Sequence, residues 1–186
     1  MATSIAAERP HAFLGGSNYH WLNWSDDKLL ERYQNHRAAQ KGTELHSLAE
    51  NLIRLNVNLP DDEKTLSMYV NDAIRYQLDT EVFLYYSDFI YGTADALGFD
   101  GTCLRISDYK SGVTKASMMQ LYFYAAVFCL TGNNNRPINP YSINIILRIY
   151  QSNDVITKCP DPEEILKVMD RIQEANHILT RATADQ

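Results

Sequence analysis

The sequence predicts an α/β chain, α and β mixed, with a central mixed β-sheet flanked by helices. Three observations predict it. Apolar residues recur at helical spacing from Leu29 to Ile53, from Leu66 to Ala73, from Leu121 to Phe128 and from Ile165 to Ile178. Alternating or β-rich runs occupy 80–86, 89–97, 103–110 and 141–151. Their order along the chain is helices, then strands, then a helix, a strand and a helix.

Composition supports a packed core. With 186 residues, 45% of them hydrophobic and 11% aromatic, we expect a single domain, 1–186, with 1–10 and 181–186 as flexible tails. No apolar run reaches the ~18 residues of a membrane-spanning helix, so no membrane role is expected. The start, MATSIAAERPHAF, lacks a basic region followed by an apolar stretch, so no signal peptide is expected and the cytoplasm is the expected compartment. A net charge of −6 argues against a broad nucleic-acid-coating surface. Cys103, Cys129 and Cys159 are dispersed and odd in number, which reads as free thiols in a reducing compartment.

Each element has a local reason. Ser17–Trp24 is aromatic-rich, and we expect a short helix or turn that packs Trp21 and Trp24 on the body. Ser25 with Asp26 and Asp27 is an N-cap with acidic first-turn residues, opening a helix from Asp26 to about Gln40. Gly42-Thr43 marks a break, and a second helix runs to about Leu55 with Leu45, Leu48, Ala49, Leu52 and Ile53 on one face. His46 and Glu50, at i and i+4, stack on one side of it. A third helix is expected from Asp62 to about Tyr76, and Thr80–Tyr86 alternates as a strand that begins at Glu81. A helix over 115–130 carries Gln120 and Tyr124 one turn apart, on the side next to its apolar stripe. Tyr141–Gln151 alternates as a strand. Asp161 and Pro162 then open the last helix, with Ile165, Val168, Met169, Ile172 and Ile178 facing in.

The chemistry gathers in the hairpin between Gly92 and Lys110. Asp100-Gly101 predicts a two-residue type I′ turn. That turn pairs Phe99 with Thr102, Leu97 with Leu104, Asp95 with Ile106 and Thr93 with Asp108. Asp95, Asp108 and Lys110 then project from one face, with the two carboxylates roughly 7–8 Å apart as diagonal neighbours. Leu97, Leu104 and Ile106 share that face, so the acids sit at the rim of a core. Adjacent carboxylates repel, and a divalent cation removes the conflict. Lys110 is placed to orient a water or to stabilise charge on a phosphate.

Gly92-x-x-Asp95, Asp108-x-Lys110 and Gln120-x-x-x-Tyr124, in that order, resemble the motif series of the PD-(D/E)xK nucleases. The likeness is greatest to the branch of RecB-type nuclease domains, lambda-type exonuclease and related phage nucleases. Upstream, Gly42-x-x-x-His46-x-x-x-Glu50 resembles that branch's N-terminal helix, whose histidine ligates the metal. The resemblance spans about Lys41 to Leu130.

This resemblance implies a restriction-endonuclease-like core and metal-dependent hydrolysis of DNA phosphodiester bonds, most of all as an exonuclease used in recombination, repair or processing. It implies one or two Mg2+ or Mn2+ ions on His46, Asp95, Asp108 and the backbone carbonyl of Tyr109, with Lys110 completing the catalytic set. Gln120 and Tyr124 would position the strand, Glu81 would lie near the metal, and Glu50 would be a ligand or hold the imidazole. Several relatives carry a four-cysteine iron–sulfur cluster; the cysteines here cannot assemble one, so the chain resembles the cluster-free members. Expected partners are the DNA backbone, a phage recombination or single-strand-binding protein, and further copies of the chain. The setting implied is a bacterial host cytoplasm. The alternatives are a non-cleaving DNA-binding or structural relative, a sequence-reading endonuclease, and a phosphodiesterase acting on RNA or small molecules.

Overall fold

A computed structural model describes residues 12–132 and 136–184. The expected N-terminal tail, 1–10, lies outside the described residues, as do 185–186. Contacts divide the chain into two compact units, Met1–Thr43 and Glu44–Gln186.

In the first unit a 3-10 segment spans Gly16–Asn23, broken at Asn18 (φ −120°, ψ 62°), and none of it is buried. Trp21 and Trp24 are both half-exposed. Trp21 donates to the Gly15 carbonyl, and Lys28 and Arg32 lie over the Trp24 ring. Ser25 caps the next helix, accepting from the Lys28 amide at 3.3 Å.

Helix α1 (Asp26–Arg54) is one element of 29 residues, not the two expected with a break at Gly42-Thr43. An interior glycine costs only about 1 kcal/mol against alanine, too little to end a helix of this length. Thr43 adds a helical bond of its own, from Oγ1 to the Ala39 carbonyl at 3.2 Å.

The second unit is built on a five-stranded sheet in the order β1 (Asp79–Ser87), β2 (Ile90–Phe99), β3 (Cys103–Lys110), β4 (Asn144–Gln151) and β5 (Asp154–Lys158). β3 and β4 are parallel and the other neighbours antiparallel, so the sheet is mixed, as expected. Helix α2 (Thr65–Arg75) starts three residues after the expected Asp62. Glu63 takes a left-handed φ of 56°, and Asp62 closes on Lys64 at 2.6 Å, so the helix begins beyond them. Helix α3 (Met119–Thr131) starts later than expected too. The buried Gln151 carboxamide holds 112–116 out of the helix, donating to the carbonyls of Gly112 (2.6 Å) and Thr114 (2.8 Å) and accepting from the Ala116 amide (3.1 Å).

Helix α4 (Pro162–Ala184) opens as expected at Pro162, with Glu164 reaching back to the Asp161 amide at 2.8 Å. It continues through 181–184, which were expected to fray, and leaves Ile178 53% exposed rather than inward. Its packed stripe on the core ends at Ala175. β5 was not foreseen. Its turn, Ser152-Asn153, has φ of 53° and 58°, the type I′ geometry, without the glycine that advertises it.

Asp100-Gly101 does not make the two-residue turn. The observed pairs are Phe99↔Leu104, Leu97↔Ile106 and Ala96↔Ser107, two places away from the expected register. The Asp100 carboxylate is the cause. Its Oδ1 accepts from the amides of Thr102 and Cys103 and from the Thr102 hydroxyl, all within 2.9 Å, while Oδ2 binds Arg105 at 2.8 Å. These bonds widen the loop. A shift of two leaves the paired residues facing as expected, so the core pattern survives. Asp95 is the exception: it turns toward His46 of α1 and does not share the face of Asp108 and Lys110.

The sheet separates two cores. Leu84, Leu97, Leu104, Ile106, Leu147 and Ile149 pack under α3 and α4. Ala96, Tyr109 and Tyr150 pack with Ala49 and Ile53 of α1 and with Tyr69, Val70 and Ala73 of α2. Among the described residues no helix is long and apolar enough to cross a membrane.

Candidate metal centre

The site forms where β1 and β2 change faces together. Leu78 and Ala96 belong to the α1–α2 core, whereas Val82, Ala94 and Leu97 belong to the α3–α4 core. The β1–β2 ladder pairs Thr80↔Ala96 and Val82↔Ala94 and steps over Glu81 and Asp95. Glu81 has φ 51°, a left-handed conformation that costs a residue with a Cβ roughly 1–2 kcal/mol. The result is a pair of carboxylates turned toward α1, where His46 lies.

Ligand atoms of His46, Glu81 and Asp95 all fall within 4.8 Å of one another. His46 Nδ1 is 3.5 Å from Asp95 Oδ2, and the same oxygen accepts from the Tyr109 amide at 2.9 Å. The imidazole meets the Tyr109 ring edge-on at 5.2 Å. Glu81 is exposed, and desolvation raises its carboxyl above the usual value, with the charge of Asp95 adding to the effect.

Asp108 stands beside this group but outside it. It is 3% exposed, its Oδ1 accepts from Lys110 Nζ at 2.9 Å, and its Oδ2 is buried with no partner. Burial first, and the charge of Asp95 second, push its carboxyl up to about 6. Lys110 Nζ also reaches Gln120 Oε1 at 3.4 Å, and Gln120 Nε2 donates to the Tyr124 hydroxyl at 3.0 Å. The row Asp108, Lys110, Gln120, Tyr124 is therefore hydrogen-bonded end to end. Gly92 belongs to it by shape, since a Cβ there would sit 2.9 Å from Tyr124 Cε1. Glycine lets the Tyr124 ring come close to the β2 backbone.

The structure thus arranges the expected residues in two adjoining sets. His46, Asp95 and Glu81 form the tight group, with Glu81 in the place expected for Asp108. Asp108, Lys110, Gln120 and Tyr124 form the second set, and the bond from Asp95 to the Tyr109 amide links the two. The expected pairing of Asp95 with Ile106 is wrong; Leu97 takes that place. Glu50 does not hold the imidazole. Arg54, one turn on, takes its carboxylate at 3.0 Å, and His46 turns to Asp95. Tyr109 contributes its amide and its ring.

Sequence reasoning missed Tyr69 and Gln151. Tyr69 is buried with its ring 5.5 Å from that of Tyr109, and burial with the charges of Asp95, Asp108 and Glu81 keeps its phenol protonated. Glu81, expected near the metal from the resemblance, stands opposite Asp95 in the tight group.

No family model matches this chain, and no curated protein matches it significantly.

Proposed function

We propose that this chain is a metal-dependent nuclease of the PD-(D/E)xK type, with a restriction-endonuclease-like core, acting on DNA. The observation that carries the reading is the convergence of His46, Glu81 and Asp95 beside a buried carboxylate with an unpartnered oxygen. Three anionic groups and one imidazole suit a hard divalent cation that tolerates nitrogen, Mg2+ or, more so, Mn2+. His46, Asp95 and Asp108 would hold it, with Glu81 and the Tyr109 carbonyl as further donors. When bound, it supplies an acidic water and positive charge for the scissile phosphate.

The remaining chemistry belongs to the chain. Lys110 is held by Asp108 and Gln120 so that its ammonium can meet the charge developing on a phosphate oxygen. Gln120 is fixed in turn by Tyr124, which rests on the bare backbone of Gly92. Asp95 fixes the imidazole of His46 on one side and the β3 backbone on the other.

The test is degradation of end-labelled linear DNA and of covalently closed circular DNA with Mg2+ or Mn2+. The linear substrate should be consumed, and Lys110→Ala should reduce the rate at least about a hundredfold with the fold intact. Attack on the linear form alone assigns an exonuclease. Cleavage retained in purified Lys110→Ala would end the reading.

A further inference from the structure

Phe83, Tyr85 and Tyr91 lie on the hairpin that carries Glu81 and Asp95, and they are 60%, 47% and 56% exposed. The register pairs Phe83 with Thr93 and Tyr85 with Tyr91, the rungs that follow Glu81 and Asp95 along the same two strands. Leu84 packs into the α3–α4 core, and Gly92 lies under Tyr124 of α3. Alternation therefore turns Phe83, Tyr85 and Tyr91 to the opposite side of the sheet, the side on which His46 meets Asp95. Phe83 lies 5.8 Å from Tyr91 and 6.2 Å from Tyr85, centroid to centroid. The Tyr85 hydroxyl is engaged by Asp88 at 2.7 Å, which steadies that ring.

We propose that Phe83, Tyr85 and Tyr91 form a stacking strip for unpaired nucleobases, so that the substrate reaches the metal centre as a single strand or a single-stranded end. This inference rests on the nuclease reading above and names its substrate class. Two features choose nucleic acid as the occupant. The strip lies on the same two strands as Glu81 and Asp95 and on the side of the sheet where His46 meets Asp95, so a strand held at that group has this surface beside it. Its exposed faces are flat aromatic rings, which accept any base, whereas a duplex offers its bases only at an end. Same-face rungs recur about every 6.8 Å along a strand, a spacing that an extended, unstacked single strand can follow.

The test uses the full chain in EDTA, so that binding is read without cleavage. Fluorescein-labelled oligo(dT) and a blunt hairpin duplex of equal length are titrated by anisotropy. The wild type should bind oligo(dT) more tightly, and Phe83→Ser with Tyr91→Ser should weaken that binding about tenfold per ring while the duplex affinity stays the same. Phe83→Trp keeps a ring, so it should keep the affinity, and oligo(dT) should quench its emission. Equal oligo(dT) affinity in the double variant, an equal preference for duplex, or an unquenched tryptophan overturns the proposal. So does sedimentation showing that the double variant only converts a dimer to a monomer, which gives the face to a second copy. Stacking without any metal-dependent cleavage would defeat the nuclease reading and leave the strip standing.

Discussion

Replacing Asp108 by asparagine should stabilise the metal-free protein. The wild-type carboxyl titrates at about 6 when folded, against 3.8 when unfolded, because it is buried and faces Asp95. The folded state therefore holds its proton more tightly, and stability falls as pH rises from about 4 to about 6, then stays level. Above pH 6 the ionised group costs on the order of 3 kcal/mol. The amide carries no charge and keeps an oxygen for Lys110, but it leaves an unpaired donor where Oδ2 was, which takes back about 1–2 kcal/mol. A net gain of about 1–2 kcal/mol, or roughly 3–6 °C in Tm for a chain of this size, is expected at pH 8. At pH 5 the cost of ionisation is about half its value at pH 8, so the gain should shrink toward zero. Urea or thermal unfolding in EDTA, run at both pH values, measures it. A variant no more stable than wild type at pH 8, or a gain that ignores pH, would refute the picture of a buried, unneutralised carboxylate.

Further perturbations separate packing from ligation. Gly92→Ala puts a methyl 2.9 Å from the Tyr124 ring and should cost about 1–3 kcal/mol by urea denaturation. His46→Ala should lower Mn2+ affinity about 10- to 100-fold by calorimetry. Glu81→Gly removes a donor but relieves the left-handed φ of 51°, so metal-free stability should hold or rise by up to about 1 kcal/mol while Mn2+ binding weakens. A large loss of stability in Glu81→Gly would contradict the assignment of that residue to ligation.

The sequence made the fold legible wherever periodicity and caps agreed. β3 and the start of α4 lie where the pattern puts them, since alternation and the Asp161-Pro162 cap admit few other readings. Gly42 misled, because a single glycine weighs little against the hydrogen bonds of a long helix. Asp100-Gly101 misled in another way. The turn signal was read from the glycine, while the aspartate's side-chain bonds to Thr102, Cys103 and Arg105 decided the loop. Asp95, Asp108 and Lys110 were named from their spacing; Asp108 and Lys110 keep the expected facing, whereas Asp95 turns to His46 on the α1 side instead of sharing their face. What spacing could not reveal was the crossover of β1 and β2 at Glu81 and Asp95. It depends on a backbone conformation unusual for glutamate, and it moves Glu81 into the tight group while Asp108 stays with Lys110.

The central claim is that the two carboxylate sets share one cation. Anomalous diffraction from crystals grown with Mn2+ tests it most directly. The account predicts a peak bonded to His46 and Asp95, with Asp108 Oδ2 drawn onto the same ion. A peak that leaves Asp108 unligated and still bound only to Lys110, or no peak at His46 and Asp95 at all, would contradict it.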